Sequence, residues 1–294
     1  MNFDFFRPMT LATAVLAVAG AGCFDREVPR RQVVARTLAD AATNATAVTF
    51  LDLHAEGGDA AAFAFPGDLA RFPALSTLSV RGRRGLSAVP EGVAEAKALE
   101  TLDLADTGLS ELPESLATLP ALRSLYLSDN GLSALPAVVA RLPALEYLNL
   151  DRNALTSLPD DIGALSSLKW LRLNRNRLAD LPAPAGAGWR SIRKLYLRGN
   201  GLKKVPEAVL SMTSLEELDL GENDLEEIPP ELCRLPKLHR IDLDANPRLA
   251  ALPENIGEMK GLTHLFVFRC ALPTNEQARV RAALPDPVRH FIAF

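Results

Sequence analysis

The chain has 294 residues, of which 48% are hydrophobic and 23% are charged, enough apolar material for one continuous core. Its formal net charge of -4 argues against the basic face that a nucleic-acid-binding protein needs. The three cysteines, Cys23, Cys233 and Cys270, form neither an even disulfide framework nor a close-spaced metal pair. We therefore expect no nucleic-acid partner, no metal site and no cofactor.

Residues 1–22 predict a signal peptide. Arg7 precedes an uncharged stretch over residues 9–22, and a positive start, a short apolar run and a small-residue end are typical of secretory signals. The stretch is only fourteen residues long, whereas a helix needs about 20 to span a bilayer. We therefore expect export of the chain and no permanent membrane helix at this end.

The residues before Cys23 resemble the lipobox of bacterial lipoproteins. Small residues lead directly into Cys23, which in that family is lipidated and becomes the mature N-terminus; Gly20 stands where the family prefers an apolar residue such as Leu. The resemblance implies a lipid anchor on Cys23 and a location in the bacterial cell envelope. Two alternatives stay open: cleavage after Ala19, which would give a soluble exported protein, and a cytosolic chain with an apolar start.

Residues 23–47 predict a linker followed by a capping helix. The segment begins polar and then places apolar or small residues at helical spacing, namely Val33, Val34, Thr37, Leu38 and Ala41. A helix here would cover the open end of a stack of repeated units.

From residue 48 to residue 273 the sequence repeats every 23 or 24 residues in most units. One unit places its repeated residues at Leu145, Leu148, Leu150, Asn153, Leu155, Leu158 and Pro159. Other units begin at Leu75, Leu99, Leu122, Leu168, Ile192, Leu215, Leu238 and Leu262, and a degenerate first unit begins at Val48, which makes about ten. A period of this length predicts units stacked along one axis.

The residue types explain how such a unit folds. Leucines separated by one residue point to the same side of a strand, so the leucines face inward and the residues between them face solvent. Where the chain then leaves the strand, an inward Asn can supply two donors and an acceptor to the backbone of the turn. Thr107 and Cys270 are expected to replace Asn in two units, and the other regular units have Asn130, Asn153, Asn176, Asn200, Asn223 and Asn246.

This pattern resembles the leucine-rich repeat family over residues 48–273. The spacing LxxLxLxxNxL followed by Leu-Pro is highly specific when it recurs in this number of units. The resemblance implies an α/β fold, a curved solenoid with a parallel sheet on its concave face and short helical or irregular segments outside. The family mostly binds proteins, usually with the concave sheet. The 23-residue form is similar to that of bacterial proteins and of scaffolds associated with small GTPases.

Residues 274–294 predict a C-terminal cap. Thr274 and Gln277 have the spacing of a capping box, so a helix is expected from Thr274 to about Leu284. Pro285 and Pro287 then end the helix, and residues 288–294 predict a final extended segment.

The solvent-facing strand positions predict a binding surface. All three Tyr and one of the two Trp fall on these positions in four successive units, and Arg side chains accompany them. Aromatic residues with Arg are the usual chemistry of binding hot spots. The candidate residues, together termed the central patch, are Tyr126, Tyr147, Trp170, Arg172, Lys194, Tyr196, Arg198, Asp219 and Asp242.

The charges of the central patch change sign along the repeats, from a basic centre to an acidic section at Asp219 and Asp242. We expect a protein partner to dock here, with opposite charges fixing its register. The alternative is that strands favour aromatic residues in any case and that opposite charges on adjacent strands pair with each other.

The sequence therefore predicts a non-enzymatic protein–protein interaction module, exported and anchored through a lipid on Cys23. No nucleophile with a neighbouring base or oxyanion device is recognisable. Two alternative functions stay open: a cytosolic leucine-rich repeat scaffold or regulator of signalling, and an envelope protein that binds glycans through the aromatic residues of the central patch.

Overall fold

The computed structural model describes residues 32–54, 63, 65–86, 88–183, 188–284 and 292–293. The chain divides into two units, Met1–Gln32 and Val33–Phe294. The predicted signal peptide, Cys23 and the linker as far as residue 31 lie outside the described residues. The strands and helices of the described residues all belong to the second unit.

Within the described residues, twelve short strands form one sheet, and their order in the sheet is their order in the chain. Neighbouring strands are parallel and pair equivalent positions, as Leu148 does with Leu171 and Leu171 with Leu195. This register confirms the predicted leucine-rich repeat solenoid with a parallel sheet. The strands are β1 Val34–Ala35, β2 Phe50–Asp52, β3 Thr77–Ser79, β4 Thr101–Asp103, β5 Ser124–Tyr126, β6 Tyr147–Asn149, β7 Trp170–Arg172, β8 Lys194–Tyr196, β9 Glu217–Asp219, β10 Arg240–Asp242, β11 His264–Phe266 and β12 Ile292–Ala293.

Short helical segments return the chain between strands. Most are single turns that begin just after the Leu-Pro step, where Pro loses nothing because the first N–H groups of a helix have no internal partner. No helix among the described residues has the length and apolarity to cross a membrane. The α-helices are α1 Leu38–Thr43, α2 Glu207–Leu210 and α3 Thr274–Ala283, and the 3₁₀ turns are Glu91–Glu95, Glu114–Thr118, Ala137–Arg141, Asp160–Ala164, Gly188–Ser191, Pro230–Arg234 and Glu254–Glu258.

The core is a continuous column of repeat leucines. In the unit that begins at Leu145, that residue, Leu148, Leu150 and Leu155 have no exposed surface, and equivalent residues of other units are buried likewise. Complete burial of one Leu side chain contributes about 1.5–3 kcal/mol to folding. Each unit can bury these side chains only against its neighbours, so the stacking of units is what stabilises the fold.

The inward asparagines satisfy the backbone where the chain leaves the sheet. The Oδ1 atom of Asn223 accepts hydrogen bonds from the N–H groups of Asn200 and Leu202, each at 3.0 Å. Its amide nitrogen donates to the carbonyl groups of Leu197 at 3.1 Å and Leu220 at 2.9 Å. One side chain therefore joins the turn of its own unit to the turn of the unit before it.

Three units satisfy this turn with another residue. Thr107 and Cys270 donate to leucine carbonyl groups at 2.9 and 3.2 Å, which confirms that they take the place of Asn. In the unit that begins at Leu75, Arg83 occupies the position that Asn has in most other units, and its Nε donates to the carbonyl of Leu53 at 2.7 Å. The position therefore requires a donor to the buried carbonyl rather than Asn itself.

The N-terminal end differs from the prediction. The capping helix α1 begins at Leu38, and its first turn is capped by Thr37, whose Oγ1 accepts from the N–H of Asp40 at 3.0 Å. Val34, predicted to be helical, lies instead in β1, which pairs with Phe50 and Leu51 of β2. Pairing in the sheet gives this backbone hydrogen-bond partners that a short isolated helix would lack at its ends.

The C-terminal cap contains the predicted helix, with different capping. Thr274 is the first residue of α3 and makes no side-chain cap; the amide of Gln277 donates instead to the carbonyl of Leu272 at 2.9 Å. Strand β12 pairs with β11 and agrees with the predicted extended segment. The rest of that prediction, residues 288–291 and 294, lies outside the described residues.

Candidate functional site

The central patch lies on the solvent-facing side of strands β5 to β10. The parallel register places Tyr147 beside Trp170, Trp170 beside Lys194, and Arg172 beside Tyr196. Inward leucines fix this register, because a slip of one residue would expose the leucines and bury the polar positions. The sequence pattern therefore places these side chains on adjacent strands about 4.8 Å apart.

The aromatic rings of the patch contact one another in a row. The ring centroids of Tyr126 and Tyr147 are 4.9 Å apart, and those of Tyr147 and Trp170 are 5.8 Å apart with an edge-to-face geometry. Both separations lie in the range of favourable aromatic pairs. Burial raises the pKa of Tyr147 to about 12, so its phenol stays protonated and is a hydrogen-bond donor at neutral pH.

Cations continue the row across the next strands. The Nζ atom of Lys194 lies 4.7 Å from the ring centroid of Trp170, and the guanidinium carbon of Arg172 lies 5.0 Å from that of Tyr196. A cation over a ring face at this distance is attracted by the ring quadrupole. The row of rings and cations thus extends over β5, β6, β7 and β8 without a gap.

The same cations form ion pairs within the protein. Arg172 contacts Asp151 at 2.7 Å, and Lys194 contacts Glu217 at 2.8 Å. The hydroxyl of Tyr196 donates to Glu217 as well, at 3.0 Å. Asp151 and Glu217 were not among the predicted site residues, although both occupy solvent-facing strand columns. The basic centre of the patch is therefore internally neutralised.

Arg198 is the centre of the acidic section. Its Nη1 lies 3.6 Å from Asp219 Oδ1 and 3.4 Å from Asp242 Oδ2, and its Nε lies 3.2 Å from Glu222. Gly221 leaves room for this guanidinium, because a Cβ there would lie 2.3 Å from Nη1. Burial, and then the charge of Asp242, raise the pKa of Asp219 to about 7. Opposite charges on neighbouring strands thus pair, as in the alternative interpretation.

The structure also shows which candidate residues are accessible. Tyr126, Asp219 and Asp242 are buried, with at most 8% of their surface exposed. The tyrosine therefore supports the ring of Tyr147, and the two acids hold Arg198. The remaining candidate residues are partly exposed and form the surface that a partner would meet.

Sequence reasoning missed a buried acid at the other end of the face. Asp103 is fully buried; its Oδ1 accepts from the N–H of Ala105 at 3.0 Å, and its Oδ2 lies 3.9 Å from Arg81. Burial raises its pKa to about 6. Asp103 lies between two inward leucines of its strand, so the sequence pattern predicts that its side chain is exposed. Neighbouring side chains pack over it and bury it.

A polar cavity of about 400 Å³ lies near the N-terminal ends of strands β6 to β9. Four of its charged residues form ion pairs just before these strands, Lys169 with Glu146 at 2.8 Å and Arg193 with Glu216 at 2.7 Å. The described residues contain no group of three or more His, Cys, Asp or Glu arranged to hold a metal ion.

Residues 73–132, 132–178 and 190–247 match the family model for the leucine rich repeat. These matches cover more than half of the chain, which therefore belongs to the leucine-rich repeat family. A comparison with curated proteins found no match. Domains of this family are generally protein-interaction modules.

Two solved structures illustrate the likeness of fold. The internalin inlF of Listeria monocytogenes is 21% identical, with 74% of this chain and 68% of that chain covered and a TM-score of 0.56. The leucine-rich repeat ectodomain of the Arabidopsis receptor kinase HAESA, solved in complex with an N-terminally extended IDA peptide hormone, is 30% identical. Its match covers 69% of this chain and 35% of that chain, with a TM-score of 0.57.

Proposed function

We propose that this chain is a non-enzymatic interaction module that binds a protein partner on the central patch. The observation that carries the proposal is the unbroken row of stacked rings and cations on strands β5 to β8. Ion pairs to Asp151 and Glu217 hold the cations in place before any partner arrives. A preorganised surface loses little side-chain entropy on binding, which is one of the main costs that an interface must overcome.

The same geometry favours a protein over a glycan. Lys194 covers one face of Trp170, and Arg172 covers one face of Tyr196; those faces would otherwise be flat platforms for a sugar ring. Ring edges, a phenol and partly exposed cations suit the mixed polar and apolar surface of a protein. The ectodomain of HAESA, which has the same fold, was solved with a peptide ligand, and this supports a peptide or protein partner here.

Substitution of Trp170→Ala together with Tyr196→Ala is expected to abolish capture of the partner. Hot-spot aromatics each contribute about 2 kcal/mol or more, so loss of two should weaken binding by about 1,000-fold. Both side chains are partly exposed, so the fold should survive with a similar thermal midpoint. To check this prediction, each form of the protein is used to capture the partner from an extract of the source organism. The Kd of each form for the purified partner is then measured.

The matched control for that experiment changes two exposed residues of the 3₁₀ turns, Asp161→Ala and Glu231→Ala. It should bind the partner like the unmodified protein. Undiminished binding by the Trp170→Ala, Tyr196→Ala variant would refute the assignment of the central patch.

The proposed place of action is the bacterial cell envelope, with a lipid anchor on Cys23. The positive start, the apolar run and the small residues before Cys23 support it. More than one acyl chain on one cysteine would give stable anchoring, since a single chain binds membranes only marginally.

The intact mass of the protein from its native host tests this location. We expect a chain that begins at Cys23 and carries acyl groups, and we expect both to be lost in Cys23→Ala. A chain cut near Ala19 without lipid would mean a soluble exported binder. The full uncut mass would replace the envelope location with that of a cytosolic scaffold.

A further inference from the structure

A second aromatic cluster lies at the C-terminal end of the same face. The C-terminal cluster comprises Arg240, His264, Phe266, Phe268 and Arg269, on or next to strands β10 and β11. Val267 is buried, so the phenylalanines on either side of it both face solvent. The Phe268 side chain is 49% exposed, unlike most large hydrophobic residues in the described part of the chain. Exposed apolar residues that are grouped and rimmed by polar ones mark interaction sites, whereas single ones do not, and here Phe266 and Phe268 are grouped.

The arginines of this cluster differ from those of the central patch. The guanidinium of Arg240 lies 4.8 Å from the ring centroid of Phe266, and that of Arg269 lies 5.5 Å from the ring centroid of Phe268. Neither arginine has a carboxylate of the described residues within 4.0 Å. In the central patch, by contrast, Arg172 and Arg198 both form ion pairs.

The acids that face the C-terminal cluster already have other partners. Glu217, which lies opposite Arg240 in the sheet, contacts Lys194 at 2.8 Å. Asp242 contacts Arg198 at 3.4 Å, and Asp244 Oδ1 accepts a hydrogen bond from the N–H of Phe268 at 2.7 Å. Burial and the charge of Asp242 also raise the pKa of Asp244. The two arginines therefore have donor groups that an added carboxylate could satisfy.

We propose that the C-terminal cluster binds an extended acidic segment of a protein partner, with Asp or Glu side chains paired to Arg240 and Arg269 and an apolar side chain packed on Phe268. Arginine binds carboxylates in a planar two-bond geometry, and stacking on a ring orients it for that contact. Phe266 is the last residue of β11 and Phe268 lies in the turn two residues further on, and both face solvent, so one extended segment can contact both rings. This assignment rests on the proposed function and names the chemistry of the partner.

A random peptide library displayed on phage and selected on the full chain tests the assignment. We expect enrichment of peptides with Asp or Glu next to an apolar residue. Their affinity should fall by about 10-fold or more for Arg240→Gln with Arg269→Gln, since hydrogen bonds to charged groups contribute about 1.5–3 kcal/mol. The control Arg71→Gln with Arg234→Gln makes the same charge change elsewhere and should bind normally.

The central-patch variant Trp170→Ala with Tyr196→Ala should bind the enriched peptides normally. Enriched peptides that lack acidic residues, unchanged affinity for the Arg240→Gln, Arg269→Gln variant, or no enrichment at all would overturn the assignment. Loss of peptide binding only in the central-patch variant would also overturn it, while leaving the proposed function of the central patch intact.

Discussion

Substitution of Asn223→Ala is expected to lower the free energy of unfolding by about 3–5 kcal/mol. Asn223 accepts from two backbone N–H groups and donates to the carbonyl groups of Leu197 and Leu220, all of them in the buried turns of two neighbouring units. Alanine would remove the partners of these groups in a buried turn, since Asn223 is only 4% exposed. Chemical denaturation followed by circular dichroism measures the loss.

Asn174→Ala is the matched control for Asn223→Ala. Asn174 is half-buried on the strand face, where its Oδ1 accepts from the N–H of Arg198 at 2.9 Å, and water can replace that bond. Its loss should cost about 1 kcal/mol or less. Asn223→Thr should be intermediate, since Thr107 fills the equivalent position in this chain. Equal losses for Asn223→Ala and Asn174→Ala would contradict the structural role of the inward asparagines.

Substitution of Arg198→Ala is expected to destabilise the protein by about 2–4 kcal/mol at about pH 8, and much less at about pH 5. Arg198 is the cation shared by Asp219, Asp242 and Glu222, and the first two are buried. Without it, their charges would face one another in a site of low polarity. Breaking a buried ion pair is costly for this reason.

The direction of the pH dependence follows from the pKa of Asp219. Its value in the folded state, about 7, exceeds the ordinary value of 3.8, and removal of Arg198 raises it further. Between these values the folded state binds more protons than the unfolded state, so stability falls as pH rises. The additional substitution Asp219→Asn should restore stability at about pH 8, because the amide needs no cation. A loss independent of pH, or no recovery in the double variant, would contradict this account.

The fold could be predicted almost completely because each repeat encodes the same local rules. Inward leucines fix the register of the strands, and Asn fixes the turn. Two features have no comparable signal in the sequence. Strand β1 exists because the sheet edge offers partners to Val34 and Ala35. The residue before the inward Asn has a positive φ whether it is Asp129, Arg152 or Ala245. The geometry of the turn, rather than the residue type, therefore sets this backbone conformation.

The sequence predicts which side chains of the candidate site share one face of the sheet. It does not predict which of them are buried or which charges pair. Alternation and register place Tyr147, Trp170 and Tyr196 on one face, and the structure brings them together. Burial of Asp103 and Asp219 depends on which neighbouring side chains fold over them, and a column of strand positions contains no such information. Charge pairing cannot be predicted from the column either. An arginine on this face forms an ion pair only if its side chain is long enough, and suitably oriented, to contact a carboxylate on a neighbouring strand.

Binding of a protein partner at the central patch is tested most directly by photocrosslinking in the source organism. A photoreactive amino acid is placed at Tyr147, in the row of rings, and in a second strain at Asp161, which is exposed on a 3₁₀ turn. We expect a discrete crosslinked protein from position 147 and none from position 161. Crosslinking from position 161 alone, or from neither position, would contradict the proposal that this face of the sheet binds the partner.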